Sequence, residues 1–225
     1  SLCWYAIAYL TFTRKIRRSL LPPPAEELAL FEALRADRPV RLAHSGAVTT
    51  PMLVGLARPV IVLPQSSVLP GGEKSLSAAL RHELTHYRRR DIAYKWLVVL
   101  ATSLHWFNPL VYWMRRQISL DCELSCDEAV LRALEPEERM AYGDLLLALA
   151  AGCRLPSGAT ATTLYEEKRQ LKARLQGVLH YRPPTPAVIC TAGALALLLC
   201  CCACALFRLD GQQTVQTPAP TTAEA

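Results

Sequence analysis

The order of apolar and polar positions divides the chain into helices, one short β segment and two uncharged stretches near its ends. Residues 1–13 are apolar and aromatic, with Trp4, Tyr5, Tyr9 and Phe12. That is shorter than the roughly 20 residues a bilayer span requires, so the stretch reads as the end of a transmembrane helix. Arg14, Lys15, Arg17 and Arg18 follow at once. Such a cluster faces the cytoplasm by the positive-inside rule; a basic surface helix is the alternative. Pro22-Pro23-Pro24 stops this element. From Ala25 to Asp37, Leu28, Phe31 and Leu34 recur at helical spacing. Pro39–Ala43 and Leu53–Leu63 read as short strands, because Val60-Ile61-Val62-Leu63 is apolar and largely β-branched. Gly55 and Pro59 mark a turn or bulge between them.

Helical periodicity resumes from about Lys74 to Arg89. Trp96–Met114 carries no formal charge. Its length suits a membrane span, but His105, Asn108 and Pro109 interrupt it. A membrane-associated or re-entrant hairpin broken at Asn108-Pro109 is an equal reading. Arg115–Leu134 is again helical, and Glu135-Pro136 opens another helix with proline in its first turn. Met140–Ala151 is apolar and belongs to the core. Gly152–Thr163 reads as a loop. Leu164–Leu179 is a basic amphipathic helix whose Lys168, Arg169, Lys172 and Arg174 suit anionic headgroups. Ala187–Phe207 is uncharged and is the clearest transmembrane helix. The expected organisation is therefore a transmembrane end over 1–13, a cytoplasmic domain over 14–182, a transmembrane helix over 187–207 and a disordered extracellular tail over 208–225. The chain begins at Ser1 inside an apolar segment, which is expected of a fragment.

Composition changes this picture little. The net charge of +6 is modest, and its cations gather beside the apolar stretches. That argues for a lipid bilayer as partner and against direct nucleic-acid binding. The nine cysteines show no disulfide framework. Several lie inside the 187–207 run, where a thiol behaves as a small hydrophobe. Cys122 and Cys126 read as reduced core thiols in a reducing compartment, with metal binding as the less favoured alternative.

The chemistry concentrates in two short motifs. Arg81-His82-Glu83-Leu84-Thr85-His86 contains H-E-x-x-H inside a helical pattern. Positions i and i+4 share a helix face, so His82 and His86 can address one metal ion. Glu83 adjoins the first ligand and is placed to act as general base. A two-histidine zinc site needs a third protein ligand. Asp121-Cys122-Glu123-Leu124-Ser125-Cys126-Asp127 supplies Glu123 for that position. Asp127, one turn on, is placed to accept a hydrogen bond from the second nitrogen of His82. A solvated acidic helix start is the plainer reading of the second motif alone.

Four segments taken in order carry a family resemblance. They are residues 53–64 with Arg58-Pro59-Val60-Ile61-Val62-Leu63-Pro64, then the H-E-x-x-H helix, then Trp106-Phe107-Asn108-Pro109, then Glu123-Leu124-Ser125-Cys126-Asp127. Together they resemble the BlaR/MecR antirepressor membrane metallopeptidases, and the E-x-x-x-D spacing is similar to the thermolysin-like zinc proteases. The resemblance implies an α+β fold: a mainly helical, membrane-embedded, zincin-like metalloprotease domain with a small β-sheet, flanked by transmembrane helices. It implies Zn2+ as cofactor, held by His82, His86 and Glu123, with Glu83 catalytic and Asp127 supporting. It implies hydrolysis of a cytoplasmic transcriptional repressor, or of the chain itself, in a bacterial plasma membrane with the metal site on the cytoplasmic side. It also implies that an edge strand near Thr49–Leu56 holds extended substrate, against an ordinary hairpin as the alternative. A homodimer is a further arrangement left open. The chain departs from the β-lactam-sensing members, since it has no S-x-x-K motif and little sequence follows Phe207. Two rival readings stay open: a quality-control protease of the HtpX or CAAX-processing kind, and a non-catalytic membrane scaffold.

Overall fold

The computed structural model describes residues 2–35, 39–65, 72–152, 161–182 and 185–213. Its elements run α1 (Leu2–Arg18), α2 (Ala25–Arg35), β1 (Arg41–Ser45), β2 (Met52–Val54), β3 (Val60–Pro64), α3 (Gly72–Arg89), α4 (Asp91–Leu104), α5 (Pro109–Ala133), α6 (Pro136–Gly152), α7 (Ala161–Leu179) and α8 (Pro186–Gln213). The described residues up to Tyr181 form one compact unit, and those from Arg182 onward form a second. The class is α+β, mainly helical with one small sheet.

The sheet order is β1-β3-β2, with β1 parallel and β2 antiparallel to β3. β3 is the central strand and is buried throughout. Alternate residues of a strand face opposite sides, and β3 uses both. Ile61 and Leu63 pack with Leu42, with Phe31 of α2 and with Leu80 and Leu84 of α3. Val60 and Val62 pack with Ala43, Val48 and Val54 and with Ile16 of α1. The continuous apolar run 60–63 follows from this two-sided burial. A third cluster joins Ala78 and Ala79 of α3 to Val130 and Leu131 of α5, Tyr142, Leu145 and Leu146 of α6, and Val178 of α7. α3 therefore stands between the sheet and α5, α6 and α7, with apolar contacts on two faces.

The turn from β2 to β3 depends on Gly55, whose φ of 97° lies in the region side chains avoid. A Cβ there would lie 2.6 Å from the Arg58 carbonyl oxygen. That carbonyl accepts a hydrogen bond from Arg17 at the end of α1, at 2.9 Å. Gly55→Ala is expected to destabilise the fold by about 1–3 kcal/mol. Chemical denaturation of the two chains checks this; equal midpoints would show that the turn can relax.

Residues 96–114 are two helices rather than one. α4 ends at Leu104, and α5 starts at Pro109 behind an Asn108 cap whose side chain accepts from the Leu110 amide at 3.0 Å. Asparagine at the cap and proline at the first position are the residues such a start favours. A single crossing helix over this stretch is therefore replaced by a hairpin. Among the described residues, no helix is long and apolar enough to cross a membrane. α1 continues through the basic cluster to Arg18. The apolar run 187–207 falls within α8, and side chains at 188, 189 and 203–207 lie outside the described residues. α8 reaches Gln213, inside the stretch read as a tail, and 214–225 lie outside the described residues. Most of the loop read at Gly152–Thr163 also lies outside them, and α7 begins at Ala161.

Candidate metal centre

α3 carries His82, Glu83 and His86, all buried. The two imidazoles stand nearly perpendicular, at 86°, with their Nε2 atoms 3.1 Å apart. α5 brings Glu123 to the same point: Oε2 lies 3.4 Å from His82 Nε2, and Oε1 lies 3.7 Å from His86 Nε2. Three ligand atoms tetrahedrally disposed about one ion, with bonds of about 2.1 Å, are separated by about 3.4 Å. The observed distances bracket that value. The donor set, two imidazoles and a carboxylate, fits a divalent metal of the zinc kind.

Each histidine is held from behind. His82 Nδ1 lies 3.2 Å from Asp127 Oδ1 and 3.1 Å from the Tyr142 hydroxyl. Tyr142 donates to the same Asp127 oxygen at 2.6 Å. His86 Nδ1 lies 2.7 Å from Asp91 Oδ2. Carboxylates at these positions fix the ring and its tautomer, leaving Nε2 free to bind metal. Asp91 reaches His86 because the chain bends sharply between α3 and α4. Arg90 sits at the bend with φ 58° and ψ 38°, a left-handed conformation that is uncommon for a residue with a side chain. The Cys126 thiol is fully buried beside this pair, 3.3 Å from His86 Nδ1 and 3.5 Å from Asp91 Oδ2.

The second carboxylate group is clamped by α7. Arg174 donates through Nε to Asp127 Oδ2 at 2.7 Å and through Nη2 to Asp127 Oδ1 at 2.8 Å. Its Nη1 lies 3.4 Å from Glu123 Oε2. This corrects the headgroup-facing position expected from sequence: Arg174 points inward. Lys95 Nζ lies 3.7 Å from the other Glu123 oxygen and is half exposed.

The electrostatics suit a cation. Burial alone lowers the pKa of His82, but hydrogen bonds to Asp127 and Glu123 and the charge of Glu83 outweigh it and raise the value to about 9. Burial raises the pKa of Glu123, yet His82 and His86 hold it well below the carboxylate range. Asp127 is likewise lowered, burial being outweighed by His82 and Arg174. Burial and the Asp127 charge push Tyr142 well up, so it stays a neutral donor. Without an ion, the site itself draws positive charge onto His82.

A cavity of about 400 Å3 opens on these groups. His82, Glu83, His86 and Glu123 line one part of it. Thr50, Pro51, Met52 and Leu53 of the β2 edge line another, and Leu145, Leu146, Leu149 and Leu171 give an apolar wall. Asp127 supports the site from behind, through its contacts with His82 and Arg174. Sequence reading assigned no role to Asp91 or Tyr142 and misplaced Arg174. A signal existed for the last: Arg174 lies at helical spacing among the inward Leu171, Leu175 and Val178.

This is a helix-borne, two-histidine, one-carboxylate centre of the metallopeptidase kind. The chain belongs to the BlaR1 peptidase M56 family, whose profile matches residues 1–178. It is 28% identical over 178 residues to the regulatory protein BlaR1 of Bacillus licheniformis, a match covering 76% of this chain and 30% of that protein. It is 32% identical over 108 residues to the methicillin resistance mecR1 protein of Staphylococcus aureus, covering 48% of this chain and 18% of that protein. The chain thus matches less than a third of the length of either relative.

Proposed function

We propose that the chain is an integral-membrane zinc metalloendopeptidase acting in transmembrane signalling, with a cytoplasmic repressor or the chain itself as substrate. The observation that carries this reading is the convergence of His82, His86 and Glu123 beside Glu83, in a cavity walled by a strand edge.

His82, His86 and Glu123 would hold Zn2+, which when bound supplies a Lewis acid and makes water acidic near pH 7. Glu83 would act as general base, accepting a proton from the attacking water as the water oxygen bonds to the scissile carbonyl carbon. Glu83 then passes the proton to the amine as the C–N bond breaks. Asp127 and Asp91 keep both imidazoles in one tautomer throughout. β2 lies at the edge of the sheet and lines the cavity, so an extended peptide can pair with it and present a carbonyl to the centre. Such pairing asks little of the substrate's sequence.

A membrane setting is supported by exposed apolar surface. Trp4 and Ile7 of α1, Leu97 and Leu104 of α4, Trp106, Phe107, Leu110 and Trp113 are each 60–69% exposed. α1 packs on α4 through Tyr9 and Trp96, whose rings meet edge to face at 5.2 Å. α4 and α5 form the hairpin, so these side chains share one region of the first unit. Large exposed apolar patches mark protein or membrane contact. In α8, Leu195 and Leu197–Leu199 are exposed as well. The basic residues flanking these surfaces support a cytoplasmic side for the metal centre.

The test is metal content and proteolysis of the full chain in detergent, with self-cleavage followed by mass spectrometry. About one zinc per chain is expected, because the two groups among the described residues that could hold an ion share His86. A chelator is expected to abolish cleavage, and added zinc to restore it. A chain that takes up no zinc overturns the reading; one that holds zinc and cuts neither itself nor a repressor leaves only a metal-binding signalling protein.

A further inference from the structure

Besides His82, the guanidinium of Arg174 spans both working carboxylates of α5, and it does so from α7. Its fork grips both Asp127 oxygens, at 2.7 and 2.8 Å, while the remaining nitrogen faces Glu123 Oε2 at 3.4 Å. Glu123 is a metal-facing group. Asp127 is the carboxylate behind His82. Arg174 therefore reaches one ligand directly and a second through Asp127. All three of its nitrogens face these carboxylates, and the side chain also borders the cavity.

We propose that Arg174 is a positioning residue that fixes Glu123 and Asp127 relative to each other, so that the metal centre is fully formed only when α7 is docked. This rests on the metallopeptidase reading. A planar guanidinium imposes direction as well as charge: two parallel N–H bonds fix the plane of Asp127, and the third nitrogen then fixes where Glu123 stands. A lysine at the same place would supply the charge alone. The docking of α7 has its own basis. Val178 is buried in the core cluster, and Leu171 and Leu175 pack against that cluster. At Gly177 the helix runs beside α5, where a Cβ would be in ordinary contact with Leu124 at 3.9 Å. Gln170 and Leu171 line the cavity. One helix thus forms part of the cavity lining and holds the ligand set, and withdrawing it would loosen both together.

The test uses the full chain in detergent, loaded with zinc, as wild type, Arg174→Ala and Arg174→Lys. The first readout is the rate at which zinc passes to a coloured chelator. Arg174→Ala is expected to release zinc about 10–100-fold faster, the usual effect of losing a group behind the ligands. Arg174→Lys is expected to fall between. Guanidinium ion at low, non-denaturing concentration is expected to slow release from Arg174→Ala and not from wild type. Where cleavage is measurable, kcat is expected to fall with KM little changed, as for a group that does not bind substrate. If Arg174→Ala does not fold, as judged by thermal unfolding, Arg174→Lys carries the comparison. Release at the wild-type rate from the folded variants overturns the proposal while leaving the metal centre standing. Equal retention by wild type and Arg174→Lys overturns the role of the fork. A wild-type chain that binds no zinc overturns the metallopeptidase reading and this proposal with it.

Discussion

Glu83→Gln is expected to keep its metal and lose cleavage by about 100- to 10,000-fold, the range contributed by a positioned acid–base group. The substitution is close to isosteric, and Glu83 is not among the three groups that converge at the metal position. The amide cannot take a proton from water or return one to the leaving amine. It also removes one of the charges that raise the pKa of His82, so metal-free His82 will hold its proton less tightly. Metal content by mass spectrometry and initial cleavage rates separate the two effects. Retained zinc with near-wild-type cleavage would mean that another group accepts the proton; lost zinc would mean that Glu83 serves the metal itself.

Asp91→Ala is expected to weaken metal binding about 10–100-fold and to destabilise the metal-free chain by about 1–3 kcal/mol. Asp91 is buried, 2.7 Å from His86 Nδ1, with Arg89 Nε at 3.6 Å. Removing it leaves the buried ring N–H facing the Cys126 sulfur, a weak acceptor, at 3.3 Å in place of a carboxylate. It also removes the negative charge from the first turn of α4, where a helix favours one. Asp91→Asn keeps an acceptor without the charge and is expected to fall between. Competition with a chelator gives the affinity, and thermal unfolding of the metal-free chain gives the stability. Unchanged values in both would show that His86 is oriented without Asp91.

The parts legible in the sequence are those encoded by spacing within one element. H-E-x-x-H on α3 and E-x-x-x-D on α5 put their groups on single helix faces whatever the tertiary arrangement, and the two faces meet in the fold. The β-branched run at 60–63 identified a strand, and Asn108-Pro109 marked a break, which in the fold is the start of α5. What stayed hidden is set by packing between elements. The strand order β1-β3-β2 follows from contacts that no local pattern encodes. Asp91 lies five positions beyond His86, across a bend made by a left-handed arginine, so helical spacing does not reach it. Tyr142 looks like an ordinary core aromatic until its hydroxyl meets Asp127. Arg174 sits in a basic segment, and its charge suggested solvent or lipid. Only the ring of apolar residues around it hints that its partner lies inside.

The shortness of β2 has a consequence for self-association. A sheet edge with unpaired amides and carbonyls is a template on which other strands can grow, and proteins guard such edges against fibril formation. Here the edge strand is only Met52–Val54, preceded by Pro51, which has no amide hydrogen to offer, and followed by the turn at Gly55. A second copy of the chain would gain few hydrogen bonds by adding to it. A peptide that needs aligning only around one bond would gain enough, so the strand can remain available to substrate without exposing the protein to aggregation through the same edge.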